Sequence, residues 1–101
     1  MIYELCAIGS EEFLIPFRIF GFNAFTAQDD ESLREYLKDT IKKGEVGIIY
    51  IEDSYCHRMR DIIEQHRNMP SPIIMPIGES DGGASYAEQM NRETMQKAIG
   101  V

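Results

Sequence analysis

Apolar positions recur along this chain with two different spacings, and each change of spacing marks a new element. Residues 2–8, I-Y-E-L-C-A-I, are a short apolar run that stops at Gly9-Ser10. Such a run has the length and bounds of a strand. Ser10, Glu11 and Glu12 then read as a helix start, a hydroxyl to cap free N–H groups and carboxylates to match the positive end of the helix dipole. Gly21 is suited to close that helix in the left-handed conformation, and Phe22 to Ala27 follows as a second aromatic, β-prone run.

From Asp30 the spacing becomes helical. Leu33, Tyr36, Leu37, Thr40 and Ile41 share one face, while Glu31, Arg34, Glu35, Lys38 and Asp39 take the other. Lys42-Lys43-Gly44 supplies the cations and the glycine that a helix C-terminus favours. V-G-I-I-Y-I, residues 46–51, is the most uniformly apolar stretch, and its lack of alternation predicts a central parallel strand covered on both faces. Glu52, Asp53 and Ser54 then start a helix in which Cys56, Met59, Ile62, Ile63 and His66 recur at helical spacing, until Asn68-Met69-Pro70 breaks it. After Pro72, I-I-M-P-I is a fourth strand, which Pro76 places near a sheet edge or strand end.

The order βαβαβαβ demands right-handed crossovers and a parallel sheet with helices on both sides. The predicted fold class is α/β, a small flavodoxin-like or Rossmann-like three-layer sandwich with a four-stranded parallel sheet. Its expected divisions are an α/β domain over residues 1–77, a glycine-rich linker over 78–84 and a C-terminal helix over 85–101.

One stretch resists this simple picture. Residues 13–22, F-L-I-P-F-R-I-F-G-F, hold seven large apolar side chains in ten positions. On a helix from about Glu11 to Phe20, Phe13, Phe17 and Phe20 form an ordinary core face. Ile15 and Ile19 form a second strip nearly opposite, flanked by Leu14 and Arg18, and Pro16 shortens or kinks the helix. The surplus strip is covered either by the C-terminal helix folding back or by another protein. That last helix carries a broad, weak stripe of Tyr86, Ala87, Met90, Thr94, Ala98 and Ile99, suited to docking on the domain or to lying along another helix.

Length and charge narrow the function classes. A chain of 101 residues builds one small core. No apolar run approaches the roughly 20 residues that cross a bilayer, and no basic leader precedes the first strand, so a cytoplasmic setting is expected. Seventeen acidic against ten basic side chains give a net charge of −7, with the bases scattered, so no nucleic acid partner is expected. Cys6 and Cys56 read as small buried hydrophobes in a reducing compartment, with no disulfide.

Ligands of such folds sit at the carboxyl ends of the strands. In the first of these loops Glu11 and Glu12 stand where a phosphate would use helix N-terminal amides, which argues against a nucleotide. Asp53, at the end of the central strand, together with Glu11 and Glu12, resembles the divalent-cation acid cluster of a phospho-accepting receiver domain. A receiver, however, has a lysine after a fifth strand, and the only lysine beyond Asp53 is Lys97. The plainer reading makes Glu11, Glu12, Asp53 and Ser54 helix-start residues. His57 and His66 lie nine positions apart, half a helical turn out of phase, so no metal site is expected of them. His66 is expected to cap the apolar face of its helix. No nucleophile-and-base pair is recognisable, and neither an enzyme nor a cofactor is expected.

The ordered features together resemble a known family. Ile8-Gly9 ends the first strand and Pro16-Phe17-Arg18-Ile19-Phe20-Gly21-Phe22 follows it. Gly47-Ile48-Ile49-Tyr50-Ile51 lies in the third strand, Pro72-Ile73-Ile74-Met75-Pro76-Ile77 in the fourth, and the last helix ends Lys97-Ala98-Ile99-Gly100. Across essentially its whole length the chain is similar to the F subunits of the V-type, or archaeal and bacterial A/V-type, rotary ATPases, with bacterial members the nearer likeness. The resemblance implies a non-catalytic component of the central rotor stalk, cytoplasmic and peripheral to the membrane, whose α/β domain binds the coiled-coil D subunit. It also implies that the C-terminal helix extends along D toward the catalytic A and B subunits or retracts onto the domain. The D-contacting residues expected on this footing are Met90, Thr94, Met95, Ala98 and Ile99, joined by Ile15, Arg18 and Ile19. The alternative is a receiver-like domain phosphorylated at Asp53.

Overall fold

In the computed structural model, which describes residues 4–78, four strands are connected by four helices and one 3-10 turn. The order is β1 (Glu4–Ile8), α1 (Glu11–Ile19), β2 (Asn23–Phe25), α2 (Asp30–Lys43), β3 (Val46–Glu52), α3 (Asp53–Cys56), a 3-10 turn (His57–Met59), α4 (Arg60–His66) and β4 (Ile73–Ile77). The local signals act where their chemistry places them. The Ser10 hydroxyl accepts the Phe13 N–H at the start of α1, and Asp29 accepts the Ser32 N–H at 2.9 Å and the Ser32 hydroxyl at 2.7 Å at the start of α2. Those two donors hold the Asp29 carboxyl below its ordinary range. Gly44 ends α2 at φ 68°, a conformation a side chain would strain.

All pairings are parallel, in the order β2-β1-β3-β4. A right-handed crossover switches faces when the chain reverses its direction across a sheet. The path steps outward from β1 to β2 and then back past β1 to β3 and β4, so α1 lies on one face and α2, α3 and α4 lie on the other. Register sorts the side chains accordingly: Cys6, Ile49 and Ile74 are in line, as are Ala7, Tyr50 and Met75 one position on.

The face under α2 and α4 is the core. Cys6, Ile8, Ile49 and Ile51 pack with Leu33 and Leu37 of α2 and with Cys56, Met59, Ile62 and Ile63. Phe25 stacks on Tyr36 at 4.1 Å between ring centres, and Arg34 of α2 clasps Asp61 of α4 with both terminal guanidinium nitrogens. On the opposite face Leu14 is fully buried, and Phe17 lies 5.2 Å from Phe22 and 5.7 Å from Tyr50.

Three expectations change. β3 is central but buried on one face only: Ile49 and Ile51 are enclosed, whereas Ile48 and Tyr50 are half-buried, because α1 sits over β1 and β2. α1 inserts Leu14 with Phe13 and Phe17, while Phe20, assigned to the core face by spacing, is its exposed C-cap. The third helix is not continuous, since it breaks into α3, a tighter 3-10 turn and α4, a common way to re-aim a short helix. β4 is an edge strand, where Pro76 costs no ladder bond that a central position would need. The expected C-terminal helix and all of the linker after Gly78 lie outside the described residues.

Candidate functional site

The strand-to-helix loops come together as a hydrogen-bonded knot. The Ser10 N–H and hydroxyl donate to Glu52 Oε1 at 2.9 and 2.8 Å, and the Phe13 N–H donates back to the Ser10 hydroxyl oxygen at 3.2 Å. The end of β3 thereby fixes the start of α1. Glu52, expected from the sequence only as a helix-start residue, supplies the carboxylate that accepts from the loop amide. Replacing Glu52 with alanine leaves the Ser10 donors without their carboxylate and is expected to cost about 1–2 kcal/mol, read as a lower urea midpoint.

The candidates for chemistry are enclosed. Asp53 is fully buried, so the acid cluster of a receiver is not presented to a phosphodonor. Burial, and behind it the Asp53 carboxylate, pushes the Cys56 thiol up to about 12, and burial raises Cys6 as well. Neither thiol is poised to react as a thiolate near neutral pH. His66 is buried, with Nε2 2.7 Å from the Pro72 carbonyl oxygen, so it ties α4 to the approach of β4. Among the described residues no group of three or more His, Cys, Asp or Glu side chains could hold a metal ion.

The exposed apolar side chains point to contact instead. Ile15 and Ile19 are 55% and 75% exposed, and Phe20 beside them is 80% exposed. Arg18, on the same outer side, pairs with Glu11 at 2.7 Å. Both partners are well exposed, so this pair holds Arg18 only weakly and leaves it available to another acceptor. The structure thus brings Ile15, Arg18 and Ile19 onto one surface, whereas Met90, Thr94, Met95, Ala98 and Ile99 lie outside the described residues.

A second apolar surface escaped sequence reading. Beyond the cover of α1 the sheet shows Ile73 and Met75 of β4 exposed, with Ile48 and Tyr50 of β3 half-buried beside them. The uninterrupted apolar run in β3 cannot tell a covered face from an uncovered one. The even-numbered positions of β4 give no warning either, because Ile74 and Pro76 on the core face are flanked by equally apolar Ile73 and Met75.

Comparison with known proteins identifies the family and the fold. Residues 5–97 match the family described as ATP synthase (F/14-kDa) subunit. The chain is 31% identical to the F subunit of the A-type ATP synthase of Methanospirillum hungatei, over 97% of this chain and 95% of that one. It is 32% identical to the A-type F subunit of Haloferax volcanii, over 100% and 95%, and 23% identical to the F subunit of the V-type ATP synthase of Fusobacterium nucleatum, over 99% and 94%. Among these three the archaeal chains carry the higher identity, the reverse of the order expected from the sequence. The crystal structure of the V-type ATP synthase F subunit of Archaeoglobus fulgidus has the same fold, with a TM-score of 0.61 at 20% identity, covering 77% of this chain and 100% of that one. A parallel four-stranded α/β domain with its polar chemistry enclosed and its apolar contacts turned outward, matched along nearly all its length, belongs to the family of F subunits of the A-type and V-type ATP synthases.

Proposed function

We propose that the chain is a non-catalytic component of the central rotor stalk. It docks on the coiled-coil D subunit and helps couple ATP hydrolysis or synthesis on the A and B subunits to movement of H+ or Na+. The observation that carries this reading is the outer side of α1, where Ile15, Ile19 and Phe20 stand in solvent with Arg18 at their flank. Contiguous apolar exposure of this kind is characteristic of a contact surface. The buried Asp53 and the enclosed thiols support a part that transmits force and carries out no chemistry of its own. Among the described residues no helix is long and apolar enough to cross a membrane, which suits a peripheral place in the complex on the cytoplasmic side.

In this reading Met90, Thr94, Met95, Ala98 and Ile99 form a second contact with D and reach toward the A and B subunits. The test is co-expression with the cognate D subunit, then size-exclusion chromatography with mass determination. A stable one-to-one complex is expected. Burying an isoleucine side chain contributes about 1.5–3 kcal/mol, so Ile19→Glu is expected to weaken the complex by about 10- to 100-fold. Charged substitution of Met90 and Met95 should weaken it too, with the fold intact by circular dichroism. A chain that elutes alone beside folded D would defeat the proposal.

A further inference from the structure

α2 and α4 lie on the core face and border an open pocket of about 350 Å³. Residues three and four apart share a helix face, and α2 accordingly lines the pocket with Lys38, Ile41 and Lys42 while α4 lines it with Ile62 and His66. In a chain of net charge −7, these two lysines are the only Lys, Arg, Asp or Glu side chains in the lining among the described residues. Neither ammonium is in an ion pair with a described residue. The dipole of α2 accounts for Lys42 in its last turn but not for Lys38, one turn earlier. His66 supplies an independent observation. It is 6% exposed, and its Nε2 stands 2.7 Å from the Pro72 carbonyl oxygen. A carbonyl only accepts, so Nε2 carries the hydrogen, and in the neutral ring Nδ1 is left as an acceptor. Nδ1 is buried and has no hydrogen-bond partner among the described residues. On its other side the ring borders a smaller pocket of about 220 Å³ toward Pro72 and Ile73, and the exposed, unbranched Met69 borders both.

We infer that the pocket between α2 and α4 binds a small organic acid with an apolar body and a hydroxyl group, of the class of medium-chain hydroxy acids. The carboxylate meets Lys38 and Lys42, the hydrocarbon lies on Ile41 and Ile62, and the hydroxyl donates to His66 Nδ1 as the Met69 side chain swings aside. Each part of the ligand answers one part of the lining. Inorganic phosphate would satisfy the lysines yet leave the isoleucines and the imidazole unmet. A plain fatty acid would leave Nδ1 unpaired, and an unpaired buried acceptor costs free energy that a donor recovers. The volume is at the small end of pockets that take organic ligands, which limits the acid to a short chain. α1 lies on the opposite face of the sheet, so the inference stands apart from the rotor-stalk reading.

The experiment is NMR titration of the full chain with 3-hydroxyoctanoate, beside octanoate and 1,3-octanediol. A dissociation constant of about 1 mM is expected for an acid of this size. Octanoate, which lacks the donor, should bind about 10-fold more weakly. The diol, which lacks the carboxylate, should bind about 5-fold more weakly, and so should the hydroxy acid to a chain carrying both Lys38→Gln and Lys42→Gln. Both lysines are exposed, so the double variant is expected to keep the wild-type urea midpoint. The nitrogen-15 signal of His66 Nδ1, told apart from that of His57 with His57→Gln, should move upfield as its lone pair accepts the hydroxyl. Equal or tighter binding of octanoate, or an unmoved Nδ1 signal, would overturn the inference. Equal binding of the diol, or wild-type affinity in the double lysine variant, would overturn it too. Amide signals of the pocket that fail to shift at about ten times the expected dissociation constant would leave no site at all. An Nδ1 signal already upfield before any acid is added would assign the donor to the chain itself, which also overturns the inference.

Discussion

Valine in place of Gly9 is expected to destabilise the domain by about 3 kcal/mol, which for a domain of this size lowers the melting temperature by about 12–24 °C. The reason lies in how closely three elements meet at the first strand-to-helix loop. A Cβ at Gly9 would stand 2.5 Å from Phe13 Cδ2, 2.9 Å from Glu52 Cβ and 3.0 Å from Glu52 Oε1. None of these groups can simply give way. Phe13 packs at a tilt against Phe17, 4.9 Å between ring centres, Glu52 is held by both Ser10 donors, and the Gly9 N–H itself donates to the Phe25 carbonyl at 3.3 Å. Relief requires α1 to lift from the sheet, and with it go the Ser10–Glu52 knot and the burial of Leu14. Alanine introduces the same Cβ and should already cost about 1–2 kcal/mol. Thermal unfolding of both variants checks the order glycine, alanine, valine. A flat series would mean that α1 is seated differently.

That loop also shows what a linear reading can and cannot reach. Ser10 as cap, Glu11 and Glu12 as dipole partners, and Gly44 as a left-handed stop were legible because each acts on its own neighbours in sequence. So were the four strands and their parallel arrangement, since helices between strands leave little topological choice. The grip of Glu52 on Ser10 joins residues 42 positions apart, and nothing in either neighbourhood announces it. Helical phase placed Ile15, Arg18 and Ile19 on the outer side of α1, yet it also gave Phe20 to the core. Phase assumes that the helix continues, and α1 ends at Ile19 with Phe20 as its cap. The exposed sheet face over β3 and β4 stayed hidden for a different reason. Whether an apolar strand face is covered depends on how many helices share that face, which strand order decides and hydropathy does not.

The sheet is therefore asymmetric, and the asymmetry has a measurable consequence within a single strand pair. Ile49 of β3 faces α2 and α4 with no exposure and stands in line with Cys6 on one side and Ile74 on the other. Replacing it with alanine removes buried carbon and leaves a cavity that Leu33, Leu37 and Met59 can only partly fill, at an expected cost of about 3–4 kcal/mol. Met75, on the adjacent strand and the opposite face, is 43% exposed. Its replacement by alanine should change the stability of the isolated chain by less than about 0.5 kcal/mol. Urea unfolding of the two variants measures the contrast directly. A Met75 variant as costly as Ile49→Ala would show that this face of the sheet is covered in the isolated chain.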